Sequence, residues 1–278
     1  GRPLRLQSMH PILRYLLIVC GLASLLAACE TAPVSGRSQI MLVSENEERE
    51  MGLQAYREVL NKEPLSRDAQ TSALVEKIGR RIANAAEHPP EELWRAPRFR
   101  WEFKTVDKNE PNAFCLPGGK VVVYTGLLPI TRTEACMAVV IAHEVAHALA
   151  RHGAERMSDQ MVASVGTAAA AVALSATVSG RSRTYLPAMM AAVGAGATVG
   201  YLLPMSRAQE SEADRIGLVL MAMAGYDPRE AIGLWERMRA ASSSKRQAQW
   251  LSTHPADTTR IADIRRWLPE AMQYYKPR

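Results

Sequence analysis

Ala142-His143-Glu144-Val145-Ala146-His147 is the stretch on which the reading of this chain turns. On an α-helix, residues i and i+4 share a face, so His143 and His147 can reach one ion. Glu144 is displaced around the helix from His143, where it can address a water at that ion rather than ligate. Val139, Val140, Ile141, Val145 and Leu149 predict a buried helix, which keeps such a site rigid and dry. The bland reading is a buried helix with two satisfied core histidines.

A catalytic zinc needs a third protein ligand and an open position. The metzincin solution would put Gly at 150 and His at 153. The chain has Ala150 and Gly153, which excludes it. His152, five residues past His147, is expected to point away from the metal face. The best third ligand is Glu210, in Ser206-Arg207-Ala208-Gln209-Glu210-Ser211-Glu212-Ala213-Asp214. Glu210 and Asp214 share a helical face, so Glu210 can bind one Zn2+ per chain while Asp214 accepts a hydrogen bond from a ligand histidine. Glu212 lies off that face and is expected in solvent.

Outward from these segments the pattern is mostly helical. Ser44-Glu45-Asn46-Glu47 predicts a capped helix to about Leu60, and a second helix is expected from Asp68 to about Glu87. Arg98–Val106, Asn112–Leu116 and Lys120–Thr125 read as strands, the last two around the turn Pro117-Gly118-Gly119. Thr131-Arg132-Thr133-Glu134 predicts the start of a long helix reaching at least His152. Further helices are expected at about 206–224, 227–241 and 257–268. This is an α+β chain, predominantly helical, with a small sheet. Runs 161–178 and 184–206 carry no charge. Their Ala, Gly, Ser and Thr suit a packed helical hairpin, and their length also permits membrane spans.

The chain has 278 residues, 47% hydrophobic and 22% charged, enough for one large globular domain and a tail. Of the +6 formal charge, three positives (Arg2, Arg5, Arg14) precede Cys29. The rest is nearly balanced, with no electrostatic footprint for nucleic acid. The uncharged run Tyr15–Ala28 suits a signal-peptide core, and Leu26-Ala27-Ala28-Cys29 resembles the bacterial lipobox. The expected organisation is 1–28 signal, 29–43 tether and 44–278 protease domain, with lipidation at Cys29 and a periplasmic, lipid-anchored location, the outer membrane slightly favoured. An ordinary secretory signal or an uncleaved anchor are the alternatives. Cys115 and Cys136 could be bridged or remain free thiols.

Four ordered segments make the chain resemble a known family. They are Asn112-Ala113-Phe114 with Pro117-Gly118-Gly119, His143–His147, Ser206-Arg207 with Glu210 and Ala213-Asp214, and Thr253-His254-Pro255 with Arg260-Ile261. They are similar to the HtpX-type gluzincin peptidases, the group that also holds the prenyl-protein CAAX endopeptidases. The likeness is closest to periplasmic lipoprotein members of the LoiP, YcaL and BepA kind. It implies a zincin fold, with an edge strand beside the catalytic helix. It also implies zinc ligands His143, His147 and Glu210, catalytic Glu144, and Asp214 behind a ligand. Asn112, Ala113, Phe114 and Cys115 would form the substrate strand, although a small residue is expected at position 115. His254 would lie near the metal, with Arg207 and Arg260 supporting or structural. The implied activity is zinc-dependent endopeptidase action on unfolded or misassembled envelope proteins. The alternatives are a membrane-spanning protease of the same group, or a zinc-containing chaperone with little proteolysis.

Overall fold

The computed structural model describes residues 29–177, 205–242, 250, 254 and 258–277. Strands β1 (Cys29–Thr31) and β2 (Ser38–Ile40) pair antiparallel, Cys29 opposite Ile40. Helix α1 (Glu45–Lys62) opens on the expected Ser44–Glu47 capping box. Helix α2 (Ala69–Glu87) opens at Asp68, whose carboxylate accepts from the Gln70 and Thr71 amides. Strands β3 (Glu102–Val106), β4 (Ala113–Leu116) and β5 (Lys120–Tyr124) form a mixed sheet in the order β3-β5-β4. β3 runs parallel to the buried central strand β5, and β4 antiparallel to it at the edge. Short helix α3 (Leu128–Thr131) leads into α4 (Glu134–Leu149), α5 (His152–Thr177), α6 (Arg207–Met223), α7 (Glu230–Ser242) and α8 (Thr258–Met272).

The α+β, predominantly helical zincin fold is the one observed. Helix α4 runs through the core, with Val140, Ile141, Ala142 and Val145 fully enclosed. It packs against α2, α6, α7 and the edge strand β4. A Cβ on Gly217 of α6 would stand 3.2 Å from the His143 Cα and amide nitrogen. Glycine at this place lets α6 approach α4 beside a candidate ligand.

Three expectations change. Thr133, not Thr131, caps α4, its side chain accepting from the Cys136 amide. The long helix expected to reach His152 stops at Leu149 instead. Arg151 takes a left-handed φ of 55° and a new helix starts at His152. Such a backbone is unfavourable for a residue with a Cβ and persists where the surroundings over-determine it. Here they do, since Arg151 donates to Glu48 (2.9 Å), to Glu30 (2.7 Å) and to the Val43 carbonyl (2.8 Å). Third, the segment expected as a tether is ordered by the β1–β2 pairing and by Gln39, which donates to the Ala150 carbonyl at 3.1 Å.

Cys115 and Cys136 are free thiols. The segment 1–28, the run 184–204, the end of the first uncharged run and the serine-rich loop at 243–249 lie outside the described residues. The hairpin expected over 161–206 therefore lies largely outside them too. Among the described residues no helix is long and apolar enough to cross a membrane.

Candidate metal centre

His143, His147, Glu210 and His254 each bring one ligand atom within 4.8 Å of the others, and all four are buried. His143 and His147 come from one face of α4, one turn apart. Glu210 comes from the first turn of α6, opened by the Ser206–Gln209 capping box. The His143 and His147 Nε2 atoms are 3.1 Å apart, and the Glu210 oxygens lie 3.5 and 3.4 Å from them. Tetrahedral zinc with bonds of 2.0–2.1 Å would space neighbouring ligand atoms by about 3.3 Å. The donor types and their spacing fit that ion. His254 Nδ1 is the fourth donor atom, 2.8 Å from Glu210 Oε1 and 3.3 Å from His143 Nε2.

The electrostatics concentrate negative charge on α6. Asp214 Oδ1 lies 3.0 Å from His143 Nδ1, so this ring is oriented from behind. Arg260 of α8 grips Asp214 at 2.6 and 2.7 Å and Glu210 at 2.7 Å, stacked over Trp235. Burial opposes ionisation of Glu210, but the charges of His254 and Arg260 and the two histidine hydrogen bonds hold its pKa well below the usual carboxylate range. Asp214 is likewise lowered against burial, chiefly by Arg260 and then by His143. Burial also works against the His143 cation, yet its hydrogen bonds to Asp214 and Glu210 raise the pKa to about 9. At His147 burial wins and the pKa falls well below the ordinary value.

Glu144 is buried beside the cluster, 3.6 Å from His254 Nε2. Burial first, and then the charge of Glu144, push the Cys115 thiol on β4 upward, which reflects how close the edge strand lies to Glu144. Ala113 is buried, while Asn112, Phe114 and Cys115 are half-buried. Arg260 joins the cluster, whereas Arg207 is exposed on the first turn of α6.

Two expectations fail here. Glu212 is 7% exposed rather than in solvent, and His152 is fully buried against His147, its Nδ1 2.8 Å from the His147 Nδ1. On a continuous helix His152 would lie about 140° around from His147. The break at Arg151 cancels that rotation. Glu212 accepts from His152 Nε2 (3.1 Å), Ser35 Oγ (2.6 Å) and Arg37 Nε (2.8 Å). Against burial, these partners hold its pKa down to about 2. Trp250 was missed as well. Its indole Nε1 donates to Glu144 Oε1 at 2.6 Å, its ring stacks on His254, and its amide reaches the Pro111 carbonyl just before β4. The i, i+4 spacing of Trp250 and His254 was the available signal.

The profile of peptidase family M48 matches residues 69–268. The chain belongs to that family. It is therefore a metalloendopeptidase, in a family of zinc-dependent enzymes acting on polypeptides. It is 37% identical over 246 residues to the mitochondrial metalloendopeptidase OMA1 of Schizosaccharomyces pombe, covering 87% of this chain and 67% of that protein. It is 34% identical over 277 residues to the protein of the same name in Saccharomyces cerevisiae, covering 95% of this chain and 76% of that one. The beta-barrel assembly-enhancing protease of Escherichia coli is 28% identical over 239 residues, 86% of this chain and 47% of that protein. The expected periplasmic, lipid-anchored location is overturned by these M48 relatives, because the two of higher identity are named as mitochondrial.

Proposed function

We propose that this M48 peptidase cleaves unfolded or misassembled polypeptides in extended conformation, with zinc held by His143, His147 and Glu210. The observation carrying the reading is the four-donor cluster with Glu144 one helical step from a ligand. When bound there, zinc supplies Lewis-acid activation of water and of the scissile carbonyl. Glu144 takes the proton of the attacking water and passes it to the leaving amine. Asp214 holds His143 by its Nδ1, and Arg260 keeps Asp214 and Glu210 ionised and fixed. The strand at 112–116 is the surface on which a substrate adds as a further strand, which reads backbone more than side chains. That is the mode expected for unfolded clients, and the name of the Escherichia coli relative points to assembly control as well.

The arrangement described is the resting one. His254 is the fourth donor of the set, and Trp250 holds the carboxylate that water would need. Trp250 and His254 have to withdraw before a peptide is cut. Released from the donor set, His254 Nε2 would be free to donate to the developing oxyanion. A direct test compares zinc-loaded protein acting on a test polypeptide kept unfolded and on the same polypeptide folded. Cleavage of the unfolded form alone, lost in Glu210→Ala together with zinc, is the expected outcome. Equal cleavage of both forms would contradict the substrate class.

A further inference from the structure

The two histidines of α4 are supported differently. His143 meets a carboxylate directly, whereas His147 faces another histidine. The His147 Nε2 is turned toward His143 and Glu210, so its remaining proton belongs on Nδ1, facing His152 at 2.8 Å. His152 must then accept through Nδ1 and carry its own proton on Nε2. That nitrogen points at Glu212 Oε2, 3.1 Å away. Glu212 spends its remaining acceptor sites on Ser35 Oγ (2.6 Å) and on Arg37, through Nε (2.8 Å) and Nη2 (2.9 Å). Arg37 also grips Glu155 of α5, which accepts from Gln209 of α6 at 2.8 Å. Each proton in the chain has a single address, and a carboxylate has about four acceptor positions to offer.

We propose that His152 and Glu212, braced by Ser35 and Arg37 of the N-terminal hairpin, are positioning residues that fix the tautomer and ring orientation of His147. The proposal rests on the reading of His147 as a zinc ligand. A carboxylate behind a metal-bound histidine commonly raises affinity by orienting the ring. In this chain that carboxylate acts across an intervening imidazole. The left-handed turn at Arg151 makes this possible, because it swings His152 back onto His147. The ordered hairpin thereby becomes part of the metal centre, although it touches no donor atom. A buried polar cluster serving only to hold the helix break would have the same contacts, and it would not set zinc affinity.

The test uses two near-isosteric variants of the full chain, His152→Gln and His152→Met. Gln can accept from His147 and donate to Glu212, whereas Met is at best a weak acceptor and donates nothing. Zinc dissociation constants are measured by competition with a chelator, and melting of the metal-free proteins is followed in parallel. His152→Met is expected to bind zinc 10- to 100-fold more weakly, about the loss typical of removing such a partner. His152→Gln is expected to recover most of that loss. Wild-type affinity in His152→Met, or equal weakening in Met and Gln, would overturn the proposal. Failure of the ligand assignment looks different: His147→Ala would then bind zinc as tightly as the unmodified chain.

Discussion

The support behind His143 and the support behind His147 both draw a carboxylate from α6 but are otherwise built from different material. Behind His143 lies the helical core, where Asp214, Arg260 and Trp235 come from α6, α8 and α7 and are enclosed. Behind His147 lies a joint between α5, α6 and a hairpin over a hundred residues earlier in the chain, with Arg37 31% exposed. The first support is a matter of stability as much as of metal binding. The second bears on metal binding while contributing less to the fold.

The largest expected effect lies on the core side. Asp214→Ala removes one of two carboxylates gripping fully buried Arg260. Losing a partner of a buried ion pair costs about 3 kcal/mol or more, here moderated because Glu210 still holds Arg260. Chemical denaturation of the metal-free protein should show it, and a loss below about 1 kcal/mol would mean the two sides do not differ as described. On the other side, Glu212→Leu should weaken zinc binding by about 10- to 100-fold with a smaller stability loss than Asp214→Ala. Zinc affinity equal to that of the unmodified chain would break the comparison.

A smaller effect is expected at Trp250. Trp250→Phe keeps the ring stack on His254 and removes the donor to Glu144. A hydrogen bond to a charged group is worth about 1.5–3 kcal/mol, so releasing Glu144 from Trp250 should raise kcat/KM by up to about tenfold while zinc affinity holds. A fall in kcat/KM would assign Trp250 to assisting Glu144 instead. The smallest effect belongs to Arg37→Gln. Its charge is partly in solvent, so zinc affinity should drop only a few-fold. A loss as large as that of Glu212→Leu would make the hairpin a full partner in the centre.

The core side was legible in the sequence, and the hairpin side was not. The His143–His147 spacing, the Glu210–Asp214 spacing and the helix caps at Ser44 and Asp68 are local patterns whose geometry follows from 3.6 residues per turn. The segment joining Arg260 and His254 to the site was legible through resemblance. Glu212 and His152 were misplaced for one physical reason. Position on an uninterrupted helix or an isolated helical face includes neither the turn at Arg151 nor the hairpin that covers Glu212. Left-handed arginine carries no sequence signature comparable to glycine, since it is imposed by Glu30, Glu48 and the Val43 carbonyl. The hairpin's Ser35, Gly36 and Arg37 look like tether residues until their partners on α5 and α6 are known.

The central claim is that Glu144 acts on water at a zinc held by three other residues, and Glu144→Gln tests it most directly. Zinc content and hydrolysis of an unfolded polypeptide are measured on the same preparation of the variant and the unmodified chain. The account predicts about one zinc per chain in both, with hydrolysis abolished in the variant because the proton acceptor is gone while every ligand remains. Full hydrolysis by the variant would contradict the mechanism, and loss of zinc would show that Glu144 belongs to the ligand set.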